Sequence, residues 1–447
     1  MTRVKSITGV GITTSVDMEA ADLGILRWDE MRQCTIAAFG DNFSRENFQG
    51  TWYSPSLVCY DEQFNVLGVP VSGGKIASNT GRKQLWDYPH NNPAFTTVLP
   101  TDFIKIGEWW YIHVMVTKGL ANEQWTEFQR SRDLVTWEHT GIKLDVKRNN
   151  GCFVMLTFEQ FGSYVYILST GGLARNKPII MHRCPVERFP DPAAYEPWGW
   201  SADGGWKWGK PATPVMNGKW GEINFRELQG NLVFTGFDAE AYRIIARVVA
   251  SPTDNWYTAP STQVAGGAIS LGMEGRDRLW RLYGGYLDKQ HSVLNKPGGM
   301  KWIASQWGTD NRLYQCVLFD GTLQAAVIKS PPAAPAPQPI PVPVPVPAST
   351  PPKETPVATE AQVGAEFQAE HAIPLQYNET GPKLTLRGAI ASILWQATKK
   401  LTRDKAVPIN VADNELGHVL SLRCEMRDAR AEVASLRKAL TDAKVIK

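Results

Sequence analysis

Short runs rich in aromatic and β-branched residues recur along the first three quarters of the chain: Cys34 to Gly40, Trp109 to Val116, Ser163 to Ser169, Asn231 to Phe237, and Arg278 to Tyr283. Each ends in, or is followed by, polar or glycine-rich residues, the pattern of strands separated by turns. A second pattern trails several of these runs. Arg130-Ser131-Arg132-Asp133 leads to Trp137, Arg247 to Ser251-Pro252-Thr253-Asp254 leads to Trp256, and a weaker copy runs from His182-Arg183 to Trp198. Self-similarity at roughly 50 to 75 residues, all strand, with one or two aromatics per unit, predicts radial four-stranded blades. The fold class expected is all-β, a five-bladed β-propeller over residues 1–330; a β-sandwich with long loops is the alternative.

The pattern changes near residue 330. Sixteen of the 17 tryptophans precede it, and 12 of the 30 prolines fall between Pro331 and Pro356. Alternating proline removes backbone donors and fixes φ, so residues 331–362 are expected to be an extended linker, whose Pro-rich 26 residues would span roughly 80 Å. Residues 363–412 form a small region, mixed in pattern from Gly364 to Leu401. Beyond it Val419, Leu422, Met426, Ala429, Val433, Leu436, Leu440 and Ala443 alternate in steps of three and four. That heptad predicts a coiled-coil helix over 413–447 that self-associates, with an amphipathic helix packed on its own chain as the alternative.

Composition narrows the function classes. Lys+Arg 47 against Asp+Glu 44 leaves +3, too little excess cation for a phosphate backbone to be the expected partner. No run of about 18 uncharged apolar residues occurs, so no membrane span is expected. The first residues lack an apolar stretch before Asp17, so no secretory leader is expected either. Cys34, Cys59, Cys152, Cys184, Cys316 and Cys424 show no CxxC spacing and read as buried thiols. The seven histidines form no paired metal motif, and neither GxSxG nor a P-loop is present. No metal and no cofactor are expected.

Carboxylates remain. Ser15 to Gly24 places Asp17, Glu19 and Asp22 within six residues, beside the small Ala20, Ala21 and Gly24. Strand alternation would put Asp17 and Glu19 on one face and Asp22 on the other, unless a bulge intervenes. Asp41 follows the apolar run Thr35 to Gly40. Two carboxylates on neighbouring inner strands are the minimum for glycoside hydrolysis, one protonated to assist the leaving oxygen and one ionised to activate water or attack carbon. Trp52, Tyr53, Trp86, Tyr88, Trp109 and Trp110 offer flat faces suited to sugar rings, with Ser54, Asn91, Asn92 and the Ser72-Gly73-Gly74 turn as polar contacts. Along Trp220 to Glu227, alternation gives Glu222, Asn224 and Arg226 one shared face, suited to a ligand clamp or to a structural ion pair.

Three strings carry a family likeness: Thr13 to Gly24, Phe39-Gly40-Asp41-Asn42-Phe43, and Trp52-Tyr53-Ser54-Pro55. With Tyr111 to Met115, Ser131 to Trp137 and Gly221 to Glu227, they resemble the endo-D-arabinanase glycoside hydrolases of family 183, formerly a domain of unknown function, over about residues 5 to 328. The resemblance implies cleavage of α-linked D-arabinofuranose chains of mycobacterial arabinogalactan and lipoarabinomannan. The catalytic pair it implies is Asp22 and Asp41. Asp17, Glu19, Trp52, Ser54, Glu222, Asn224 and Arg226 are expected to bind substrate, with Asp41 as general acid, Asp22 as base, and an inverting outcome. The segment His371 to Ala389 and the heptad helix resemble the C-terminal part of minor tail proteins of actinobacterial phages. That likeness implies a virion location, a tail-anchoring role for 363–412, other tail proteins as partners, and a homotrimer. A non-catalytic arabinan-binding adhesin is the alternative function.

Overall fold

The computed structural model describes residues 1–308 and 313–325. The linker, the 363–412 region and the 413–447 helix expected from sequence, with Cys424, lie outside the described residues. Those described are almost wholly strand; the helical pieces among them are single turns such as Thr14–Val16 and Arg148–Gly151.

The strands fall into five consecutive antiparallel groups, each beginning with a strand buried along most of its length. The first group runs Ala20–Asp29, Cys34–Arg45, Ser56–Tyr60 and Val66–Val71, with Gln49–Tyr53 added beside Cys34–Arg45. The second is Thr97–Ile106, Trp109–Thr117, Glu123–Ser131 and Trp137–Leu144. The third begins Met155–Phe161, Tyr164–Thr170 and Lys177–Pro185 and continues into a hairpin, Glu196–Ser201 with Gly205–Trp208. The fourth is Met216–Leu228, Asn231–Asp238, Arg243–Val249 and Ser261–Ala268. Pairing of Lys177 with Trp220 and Ile179 with Met216 fuses the third and fourth groups into one sheet. In the last group Leu282–Leu287, Met300–Gln306 and Gln315–Gly321 are completed by Thr2–Ser6 from the start of the chain, in register Thr2 to Asp320.

Four of the five aromatic runs read from the sequence are the second strands of their groups. The fifth, Arg278 to Tyr283, is broken. Arg281 takes φ +57, so Arg278–Trp280 ends the fourth group and Leu282 opens the fifth. The trailing Ser-and-Asp segments are turn devices: the Asp133 carboxylate accepts from the Val135 and Thr136 amides, and Asp254 accepts from those of Ala250 and Ser251.

The five first strands pack on one another in a closed cycle. Where they converge, each group contributes a charged residue: Arg27, Asp102, Glu159, Arg226 and Lys289, the last just beyond its strand. Arg226 reaches both Asp102 oxygens at 2.8 Å, Arg27 and Lys289 meet at Glu159, and Thr157 donates to Asp102 at 2.6 Å. Burying charges is tolerated here because almost every one has an opposite partner and further hydrogen bonds. Gly24, with φ +74, packs against the last group. A Cβ there would stand 3.1 Å from Ile303 and 3.3 Å from the Cys316 sulfur. The five described cysteines are free and buried, as expected.

Candidate active site

The pairing of Ala20–Asp29 with Cys34–Arg45 is irregular where the two acids sit. Ala21 pairs with Asn42 and Leu23 with Phe39, so Asp22 alone faces Gly40 and Asp41. Leu23 and Gly24 both take positive φ, +66 and +74, and the Leu23 amide is satisfied across the cycle by the Ser305 hydroxyl at 2.9 Å. A bulge re-aims side chains, and this one brings Asp22 and Asp41 into a single cleft, partly open to solvent, with about 70 Å³ of free room. Gly40 is required by closeness: a Cβ there would lie 2.4 Å from Asp22 Oδ1.

The two carboxyls are held differently. Asp41 Oδ1 accepts from Trp52 Nε1 at 2.9 Å and Thr97 Oγ1 at 2.7 Å. Burial raises the Asp41 pKa to about 6, with Thr97, Trp52 and Ser54 opposing the rise. Asp22 Oδ2 accepts from the Tyr283 hydroxyl at 2.9 Å and Tyr314 bonds it as well, while its buried Oδ1 has no partner. Burial, then the charge of Asp41 beside it, pushes the Asp22 carboxyl well above the ordinary carboxylate range. Asp22 therefore keeps its proton after Asp41 has lost its own. The sequence reading assigns Asp41 as the acid and Asp22 as the base. Burial raises both groups and donors oppose the rise at each; Asp22 is raised further by the charge of Asp41.

Glu222 completes the cleft from the fourth group, bonded by Arg175 at 2.7 Å, with its Oε2 and the Arg175 Nε unpartnered. Burial opposes the Arg175 charge, but Glu222 outweighs it and raises the guanidinium pKa. Arg175 also lies over the Tyr283 ring, 5.2 Å from its centroid. Leu99, Met115, Met155 and Trp307 supply apolar wall.

The other expected contacts are distributed differently. Asp17 is not on the strand at all. It ends the Thr14–Val16 turn at φ +58 and pairs with Arg82 at 3.3 Å and Arg45 at 3.5 Å. Glu19, also before the strand, is 4.0 Å from Arg45. Neither lines the cleft. Arg226 is wholly buried on Asp102 in the central ion network, and Asn224 accepts from the Leu287 amide at 3.0 Å. The shared strand face of Glu222, Asn224 and Arg226 thus runs from the cleft into the core, because the strand points along the cycle's centre. Trp52 and Ser54 act on Asp41: Trp52 donates to it and stacks on His90 at 3.9 Å, and Ser54 donates to the Val98 carbonyl at 2.7 Å beside it. Trp109 is covered by Arg130 and Arg132, Trp110 is buried, and Trp86 packs near Trp137, so these rings serve packing.

Arg175, Tyr283, Tyr314 and Thr97 were not singled out from the sequence. Each sits more than 45 residues from the acid it serves, and no local spacing signals such a pairing. Among the described residues no group of three or more His, Cys, Asp or Glu is placed to hold a metal, and no helix is long and apolar enough to cross a membrane.

Residues 8–320 match the family described as a domain of unknown function, DUF4185. The chain is 25% identical over 233 residues to notoamide biosynthesis cluster protein J of Aspergillus sp. (strain MF297-2), covering 49% of this chain and 58% of that protein. It thus spans little over half the length of that relative. It is 26% identical over 330 residues to an uncharacterized 35.9 kDa protein of Mycolicibacterium smegmatis, covering 70% of this chain and 94% of the other. Among solved structures, the Bacillus subtilis arabinanase Arb43A aligns with a TM-score of 0.39 at 10% identity, over 67% of this chain and 94% of that one. An exo-β-1,3-galactanase from Phanerochaete chrysosporium aligns with a TM-score of 0.44 at 7% identity, over 71% and 63%.

Proposed function

We propose, for a chain that belongs to the DUF4185 family of domains of unknown function, a glycan-cleaving hydrolase whose working pair is Asp22 and Asp41. One observation carries the reading: two buried carboxyls meet at a strand bulge in one cleft, and Asp22 keeps an unpartnered oxygen there. That is the equipment of acid and base in glycoside hydrolysis. Asp22 protonates the leaving glycosidic oxygen, and Asp41, ionised at neutral pH, activates water or attacks the anomeric carbon. The open Glu222 and Arg175 atoms take sugar hydroxyls. The two acid-bearing motifs support α-D-arabinofuranosyl linkages as the substrate, making the activity that of an endo-D-arabinanase. The closed cycle of first strands and the N-terminal strand completing the last sheet support the five-bladed propeller reading. The Pro-rich segment and heptad support display on a phage tail through trimeric association.

Purified protein incubated with mycobacterial arabinogalactan is expected to release arabino-oligosaccharides, and Asp22→Asn or Asp41→Asn to release almost none. Binding without release by wild type would favour the adhesin, and release at wild-type rate by both variants would remove this site. NMR of the first product anomer tests the inverting outcome, which a retained configuration would overturn. Detection of the chain in purified virions, and its mass in solution, test location and trimer.

A further inference from the structure

The hairpin Glu196–Ser201 with Gly205–Trp208 carries four tryptophans that its own packing does not use up. Its register sets Trp198 opposite Trp208 and Trp200 opposite Trp206, so alternation sends all four rings from one face, with Gly199 and Lys207 on the other. The inner pair is anchored: Arg183 lies over Trp208 at 4.3 Å, and Trp198 and Trp208 pack against the core of the fourth group. The outer pair is not, Trp200 being 53% and Trp206 39% exposed. Large rings left in water on a rigid hairpin are a cost that packing alone does not explain.

Beside this face lies a groove of about 240 Å³, closed on its far side by the Thr253 to Tyr257 turn. Trp198 and Trp206 stack with centroids 5.9 Å apart and planes 18° apart, giving it one flat wall. Tyr257, 45% exposed and fixed by its hydroxyl donating to the Pro214 carbonyl at 3.0 Å, stands across from it. Asp254 and Asn255 supply the polar edge. Asp254 spends Oδ2 on two backbone amides and Asn255 spends Oδ1 on the Tyr257 amide, leaving the Asn255 side-chain NH₂ and Trp206 Nε1 as donors. No lysine or arginine lines the groove. Flat apolar walls, neutral donors and a carboxylate acceptor, without a cation, suit an uncharged polyhydroxyl ring and do not suit nucleic acid or any other polyanion.

We infer that this groove is a second glycan-binding site, one that grips the polysaccharide away from the acid pair. None of its residues lines the catalytic cleft. The identity of its ligand as the same polymer rests on the hydrolase reading above.

The test uses the full chain carrying Asp22→Asn, so that the polymer stays intact, and measures retention on insoluble mycobacterial arabinogalactan. Adding Trp206→Ala and Tyr257→Ala is expected to weaken retention about tenfold, and Trp206→Phe with Tyr257→Phe, which keeps both flat rings, to restore most of it. In the otherwise wild-type chain the double substitution is expected to slow turnover of the insoluble polymer while leaving that of a soluble arabino-oligosaccharide unchanged. Unchanged retention by the double variant overturns the inference, whether or not the protein cleaves. A change of mass in solution without a change in retention also overturns it, by making the groove a contact between copies. Retention that depends on these aromatic residues, together with no release of oligosaccharides by the chain carrying Asp22, upholds this site and discards the hydrolase reading instead.

Discussion

Asp41→Asn probes the electrostatics of the cleft most directly. Burial lifts the Asp41 carboxyl from 3.8 to about 6. At 1.36 kcal/mol per unit, those two units amount to roughly 3 kcal/mol by which the fold disfavours the ionised form at neutral pH. Because the folded pKa lies above the unfolded one, the stability this group contributes is complete below about pH 4 and is lost as pH rises through about 6. Asparagine has the same outline, keeps an oxygen for Trp52 Nε1 and Thr97 Oγ1, and carries no charge to desolvate. The variant is therefore expected to be more stable than wild type at pH 7 by about 1 to 3 kcal/mol, a few degrees in melting temperature, and equal to it within error near pH 3.8. It is also expected to be inactive. Thermal melts followed by circular dichroism at both pH values, beside an arabinogalactan release assay, read all three. A variant less stable than wild type at pH 7, or more stable by the same margin at both pH values, would refute the claim that Asp41 is held ionised against its surroundings.

The remaining predictions concern the rest of the machinery. The pH profile of hydrolysis should fall on the acid side as Asp41 takes a proton near pH 6, and on the alkaline side as Asp22 loses its own; a flat profile from pH 4 to 7 would contradict the assignment. Asp22→Asn should slow polymer cleavage by roughly 10²- to 10⁴-fold, and far less on an aryl arabinofuranoside whose leaving group needs no proton. Equal losses on both substrates would show that Asp22 is not the acid. Gly40→Ala drives a Cβ against Asp22 Oδ1 and Leu23, and should cost about 1 to 3 kcal/mol together with most of the activity. Full activity in that variant would mean the bulge tolerates movement. Arg226→Ala leaves Asp102 without its strongest partner and should cost about 3 to 5 kcal/mol in chemical denaturation, whereas a residue that only binds substrate would leave the unfolding midpoint in place.

Much of this protein was legible locally. Runs such as Trp109 to Val116 and Asn231 to Phe237 became strands where periodicity put them, since a buried strand must be built of apolar and β-branched residues whatever surrounds it. Local pattern offered Asp22 only as one of three clustered acids and Asp41 as an acid at a strand end; the family resemblance is what paired them. Residues near Asp22 in sequence were misread: alternation assumed that a strand ran through Asp17 and Glu19, but the chain turns at Asp17 with φ +58 and the strand begins at Ala20. Arg226 was misread because alternation tells which face a side chain takes, not how far along the cycle's centre it lies. Local pattern alone was enough for the repeating strand units and the change of composition near residue 330. Tertiary packing was needed to bring Asp22 and Asp41 into one cleft, to stand Arg175 and Glu222 beside them, and to place Arg226 in the core. Those properties depend on burial and on donors such as Thr97, Tyr283 and Tyr314, brought from distant parts of the chain, and no local pattern encodes that convergence.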